Sequence, residues 1–128
     1  MAEVMLKLCI ADSQSRVRYG LRILLEQQPG WKVTGEAASA YELIERVRDD
    51  PPDVLLIDWE LPGTPLDALL KSLQEACPGL HVISLSGRYE LRQVALEAGV
   101  DAFASKAEPP EKLIQLIWQL IQQDSKEN

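Results

Sequence analysis

Five times along the chain, a short apolar run gives way to a longer stretch with apolar residues three or four positions apart. Few folds can absorb that alternation. The runs are residues 5–10, 31–37, 54–57, 82–85 and 102–104, each of strand length. Between them stand amphipathic stretches. Val17, Leu21, Leu24 and Leu25 mark the first, within residues 13–28, and Pro29-Gly30 stops it. Ser39 with Glu42 forms a capping box ahead of Leu43, Ile44 and Val47. Thr64 is expected to cap the third helix, with Pro65 at its first position and Leu66, Leu69, Leu70, Leu73 and Cys77 as its buried stripe. Leu91, Val94, Ala95 and Ala98 mark the fourth, with Gly99 as its stop. Pro109-Pro110 opens the fifth, expected to end near Gln122.

Residues 54–57, Val-Leu-Leu-Ile, are apolar without alternation, which suits a central strand covered on both faces. The more polar run 31–37 suits a sheet edge. A strand-helix unit repeated in this way implies an α/β fold: a parallel sheet with helices on both faces. Right-handed crossovers then favour the flavodoxin-like (βα)5 arrangement with strand order 2-1-3-4-5. The length of 128 residues, 46% of them hydrophobic, fits one domain over residues 1–123 with a polar tail over 124–128.

In such a sheet, ligands bind beyond the carboxyl ends of the strands. Asp12 follows the first run, Asp58 the third, Ser86 the fourth and Lys106 the fifth. Strand ends collect polar residues in any protein, which accounts for one of these far more easily than for all four. Together they bring carboxylates suited to a hard cation such as Mg²⁺, a carboxylate able to attack phosphorus, and donors for a transferred anionic group.

These segments resemble the receiver domains of two-component signalling, most closely those of the NarL/FixJ subfamily. Ile10-Ala11-Asp12 with Arg18 and Gly20-Leu21 resembles the acidic-pocket segment. Residues 53–58 with Leu61-Pro62-Gly63 resemble the phosphoacceptor segment, the most specific match. Residues 84–87 resemble the switch segment, and residues 98–106 the fifth-strand segment with its aromatic and lysine. The resemblance implies a signalling protein rather than an enzyme. Asp58 would accept a phosphoryl group from a histidine kinase, helped by Ser86 and Lys106. Asp12, Asp58 and the backbone carbonyl of Glu60 would hold Mg²⁺, and Ser86 and Phe103 would be the switch pair. It further implies transcription regulation through a DNA-binding domain missing from this chain.

The sequence departs from the family pattern in places. Ser13 stands where receivers normally carry a second acid, which should weaken Mg²⁺ binding; the Glu60 side chain is the candidate to compensate. Pro65 and Leu66 replace residues that usually shape the loop after the phosphoacceptor, and Ala107 follows Lys106 where proline is common. The alternative is therefore an atypical receiver with a decayed metal site, acting as a phosphorylation-independent interaction module. A dehalogenase-type phosphatase would need a second aspartate at position 60. A flavin carrier would need a glycine-rich turn in place of Asp12-Ser13-Gln14-Ser15.

Charge and remaining residues narrow the partners. A net charge of -7 opposes direct nucleic-acid contact, and Arg16, Arg18 and Arg22 are expected to form a solvated helix face. No apolar run spans a bilayer and no signal-peptide layout opens the chain, so the expectation is cytoplasmic, with no membrane partner. Cys9 and Cys77 read as buried free thiols, and His81 as a surface residue. In the last helix, Leu113, Leu116, Ile117 and Leu120 should face the sheet. Ile114, Trp118 and Ile121 widen the apolar surface to one side, pointing to a homodimer with Trp118 as anchor, joined by Tyr19 and Ile23.

Overall fold

The computed structural model describes residues 5–127. Strands β1 (Leu6–Ala11), β2 (Trp31–Ala37), β3 (Val54–Asp58), β4 (His81–Ser86) and β5 (Ala102–Ser105) alternate with helices α1 (Ser15–Glu26), α2 (Ala40–Asp49), α3 (Leu66–Ala76), α4 (Arg92–Ala98) and α5 (Pro110–Glu127). The strands form one parallel sheet in the order β2-β1-β3-β4-β5. The chain therefore has the expected architecture.

The residues of β3 explain why its sequence does not alternate. Leu55 and Ile57 enter one core and Val54 and Leu56 the other, all fully buried. The first core is closed by Leu43 and Val47 of α2, Leu69, Leu70 and Leu73 of α3, and Ala95 of α4. The second is closed by Leu25 of α1 and Leu113, Ile117 and Leu120 of α5. Each such leucine or isoleucine contributes about 1.5–3 kcal/mol.

Element boundaries differ from the expectations in four places. Asp12 Oδ1 accepts the Gln14 amide at 2.8 Å, so residues 13–14 are spent on a turn and α1 starts at Ser15. Thr64 does not cap α3. Pro65, at φ -52° and ψ 138°, is extended and takes the N-cap itself. A 3-10 turn, Tyr89–Leu91, precedes α4, where Ala95 alone is buried and Val94 is 52% exposed. The short α4 thus covers the sheet with less apolar surface than its pattern suggested. Helix α5 runs to Glu127, because nothing after Pro110 breaks it, so the tail expected from residue 124 is its last turn. Asn128 lies outside the described residues. Ser39 Oγ does accept the Glu42 amide, and Gly99 does end α4, with φ at 111°.

Of the three arginines of α1, Arg16 is exposed as expected, but Arg18 and Arg22 are not a solvated face. Arg18 and Arg22 both pair with Glu36 of β2, and Arg18 Nη1 donates to the Asp12 carbonyl at 2.7 Å. This network ties α1 to the edge strand directly beneath the loop that carries Asp12.

Candidate functional site

The carboxyl ends of β1, β3, β4 and β5 bring Asp12, Asp58, Ser86 and Lys106 to one edge of the sheet, as strand order requires. Asp12, Asp58 and Ser86 are buried. Lys106 Nζ reaches between the acids, 3.0 Å from Asp12 Oδ2 and 3.5 Å from Asp58 Oδ2. Its amide donates to the Ser86 carbonyl at 2.9 Å, so β4 fixes where the lysine starts. Desolvation lowers the Lys106 pKa. The hydrogen bond to Asp12 and the charges of both acids outweigh that, and the net shift is upward. Lys106 is a cation at neutral pH.

The other carboxylate oxygens are also held. Asp12 Oδ1 takes the Gln14 amide, and Asp58 Oδ1 takes the Glu60 amide at 3.0 Å. Both acids are thus oriented by the loops they begin. Ser86 Oγ accepts the Arg88 amide at 3.0 Å, closing a tight turn after β4. Phe103, half-buried, meets Tyr89 edge-on with ring centroids 6.2 Å apart.

Glu60 corrects one expectation. Its side chain does not turn toward Asp12 and Asp58 to replace the acid missing at Ser13. It pairs with Arg88 at 3.3 Å, and Arg88 also holds Glu90 at 3.1 Å. Arg88 is a residue that the sequence reading missed. The signal was present: β3 and β4 are neighbours with Asp58 opposite Leu85, so the residues just beyond both strand ends lie side by side.

Among the described residues, no cluster of three His, Cys, Asp or Glu side chains gathers. The two carboxylates on either side of Lys106 Nζ are nonetheless donors of the class Mg²⁺ takes, since that ion keeps several waters and needs only one or two protein carboxylates. Residues 8–118 match the response regulator receiver domain. The chain belongs to that family. As a receiver domain it is 33% identical over 112 residues to the uncharacterized transcriptional regulatory protein YhcZ of Bacillus subtilis, covering 85% of this chain and 52% of that protein. It is 30% identical over 112 residues to the nitrate/nitrite response regulator NarL of Escherichia coli, covering 86% and 52%. The receiver spans about half the length of these curated relatives. Among solved structures it superposes on a LuxR-family response regulator from Aurantimonas with a TM-score of 0.84 and 26% identity, covering 91% of this chain and 85% of that one. The isolated receiver of RcsB from Salmonella enterica, solved with a phosphomimetic, shares the fold, with a TM-score of 0.83, 24% identity and coverage of 91% and 88%.

Two further groups lie away from this edge. Ile114 and Ile121 are half-buried against the second core. Trp118 is 40% exposed and rests on Trp31, with centroids 5.2 Å apart. Cys9 is buried, while Cys77 is only half-buried. Among the described residues no helix is long and apolar enough to cross a membrane.

Proposed function

We propose that Asp58 accepts a phosphoryl group from the phosphohistidine of a histidine kinase, and that the domain passes this event on as a change of surface. The observation that carries the reading is Lys106 Nζ set between two buried carboxylates, of which Asp58 ends the central strand. One carboxylate oxygen of Asp58 forms the new O–P bond as the bond from phosphorus to the donor's imidazole nitrogen breaks. Lys106 offsets negative charge on the phosphoryl oxygens. Asp12, Asp58 and the Glu60 carbonyl would hold Mg²⁺, which supplies further positive charge to those oxygens.

Switching then falls to Ser86. Its hydroxyl hydrogen can turn to a phosphoryl oxygen, drawing the loop after β4 toward Asp58, and Phe103 follows into the space released. The output is transcription regulation through a separate DNA-binding domain, as a homodimer formed across α5, in a cytoplasmic regulator.

Incubation with acetyl phosphate and Mg²⁺ tests the chemistry. Intact-mass spectrometry should show one added phosphoryl group on the wild type and none on Asp58→Asn. Labelling that persists in Asp58→Asn would remove the assignment.

A further inference from the structure

Helices α1 and α5 lie on the same sheet face but leave a cleft of about 410 Å³ between them. Val17, Leu21 and Leu24 form one wall, Leu113 and Pro110 the other, and Leu85 and Ala104 of the sheet line it as well. Small-ligand sites commonly run from roughly 300 to 1,000 Å³ and are mostly apolar with a few polar groups. Leu85 and Leu113 are buried, whereas Val17, Leu21 and Leu24 remain only half-buried.

Gly20 also lines the cleft, in the middle of α1. A glycine there costs the helix about 1 kcal/mol relative to alanine. No packing contact demands it, since a Cβ at Gly20 would meet nothing within 4 Å. Its effect is to leave the mouth of the cleft open.

The charged groups lining the cleft are Arg16, Lys106 and Lys112 against a single acid, Glu108, in a protein whose net charge is -7. Lys106 has its ammonium committed to Asp12 and Asp58. Lys112 lies 3.7 Å from Glu108. Arg16 is exposed and, among the described residues, has no carboxylate in ion-pair range. An apolar interior under a cationic rim fits a molecule with an apolar body and one negative head.

We propose that this cleft binds a small amphipathic monoanion, such as an aliphatic carboxylate, with its chain along Leu21, Leu24 and Leu113 and its head at Arg16 and Lys112. A small molecule fits better than a protein segment, because the exposed Tyr19, Ile23 and Trp118 are not among the residues that line the cleft. Lys106 belongs both to the cleft and to the acid pocket, so occupancy is felt where Asp58 is neutralised. Binding itself does not depend on phosphorylation.

Decanoate is the probe, titrated below its micellar range into the ¹⁵N-labelled full chain. The expected result is saturable shifts concentrated on amides around the cleft, such as Gly20, Ala104 and Leu113. Arg16→Glu, at an exposed position, should weaken binding about fivefold or more, and decanol should bind more weakly than decanoate. Gly20→Leu should block the cleft while thermal melting shows the fold kept. The idea is overturned by non-saturable or scattered shifts. Equal binding of decanol with no effect of Arg16→Glu overturns it too, as does undiminished binding to a folded Gly20→Leu. If the ligand-free protein self-associates with the same amides perturbed, a second copy occupies the cleft, and the proposal again falls.

Discussion

Cys9 lies in β1 against Gly35 of the edge strand, where its Sγ would be 3.4 Å from a Cβ placed at position 35. Desolvation pushes its thiol up from 9.0 to about 12. The folded-state value is raised, so the folded protein keeps a proton that the unfolded chain releases. The stabilisation is complete below about pH 9 and is lost as pH rises toward 12, at about 1.4 kcal/mol per pH unit at most. Urea unfolding at stepped pH should show this fall in the wild type and a shallower one in Cys9→Ala. Identical slopes would assign the alkaline loss to other groups. Lys106, also raised, adds its own loss only above its ordinary 10.5, so the interval just above pH 9 isolates the thiol. Residues of this kind differ in how far the sequence discloses them. Asp12, Asp58, Ser86 and Lys106 were readable because each follows an apolar run, and a parallel sheet gathers strand ends at one edge. The Arg18–Glu36 pair was not, because it depends on how α1 settles against β2.

At the scale of elements, the loop between β3 and α3 is held to α2 rather than left to itself. The Ala40 amide donates to the Pro62 carbonyl at 3.0 Å, and Gly63 sits at φ 120°, where a Cβ would come within 2.9 Å of Ala40 Cβ. Both the backbone and the space require glycine. Gly63→Ala should cost about 1–3 kcal/mol in chemical denaturation. Gly79→Ala serves as a control, because its Cβ would meet nothing within 4 Å. A neutral Gly63→Ala would mean the loop shifts off α2 without penalty. The same loop shows why strands were legible and helix ends less so. Period-two burial and unbroken apolar runs locate strands, and an interior such as that of β3 admits no other reading. Ends are decided locally: the extended backbone of Pro65 makes it, rather than Thr64, the N-cap of α3, and one hydrogen bond from the Gln14 amide to Asp12 delays α1. On α4 the apolar spacing does mark a helix, but it leaves Val94 52% exposed and buries Ala95 alone.

At the scale of the whole molecule, the apolar groups left uncovered bear on assembly. Tyr19 and Ile23 of α1 are 67% and 45% exposed, and Trp118 of α5 is 40% exposed. Ile114 and Ile121, expected to support a dimer surface, are half-buried in the molecule's own second core, which leaves Trp118 as the larger anchor. Its ring already leans on the buried Trp31, so one face is packed and the rest is presented in a fixed orientation. A preordered aromatic loses little rotamer freedom when a partner covers it, which is the economy expected of an interface centre. The reading predicts a concentration-dependent dimer, strengthened by beryllofluoride if Asp58 controls the same surface. Sedimentation of Trp118→Glu should shift to monomer with an unchanged circular dichroism spectrum. Because Trp118 touches Trp31, an unfolded Trp118→Glu would instead place the ring in the core; Tyr19→Glu, on the other helix and more exposed, then tests the surface without that ambiguity. A wild type that stays monomeric at high concentration, with and without beryllofluoride, removes the dimer and leaves Trp118 as the cover of Trp31.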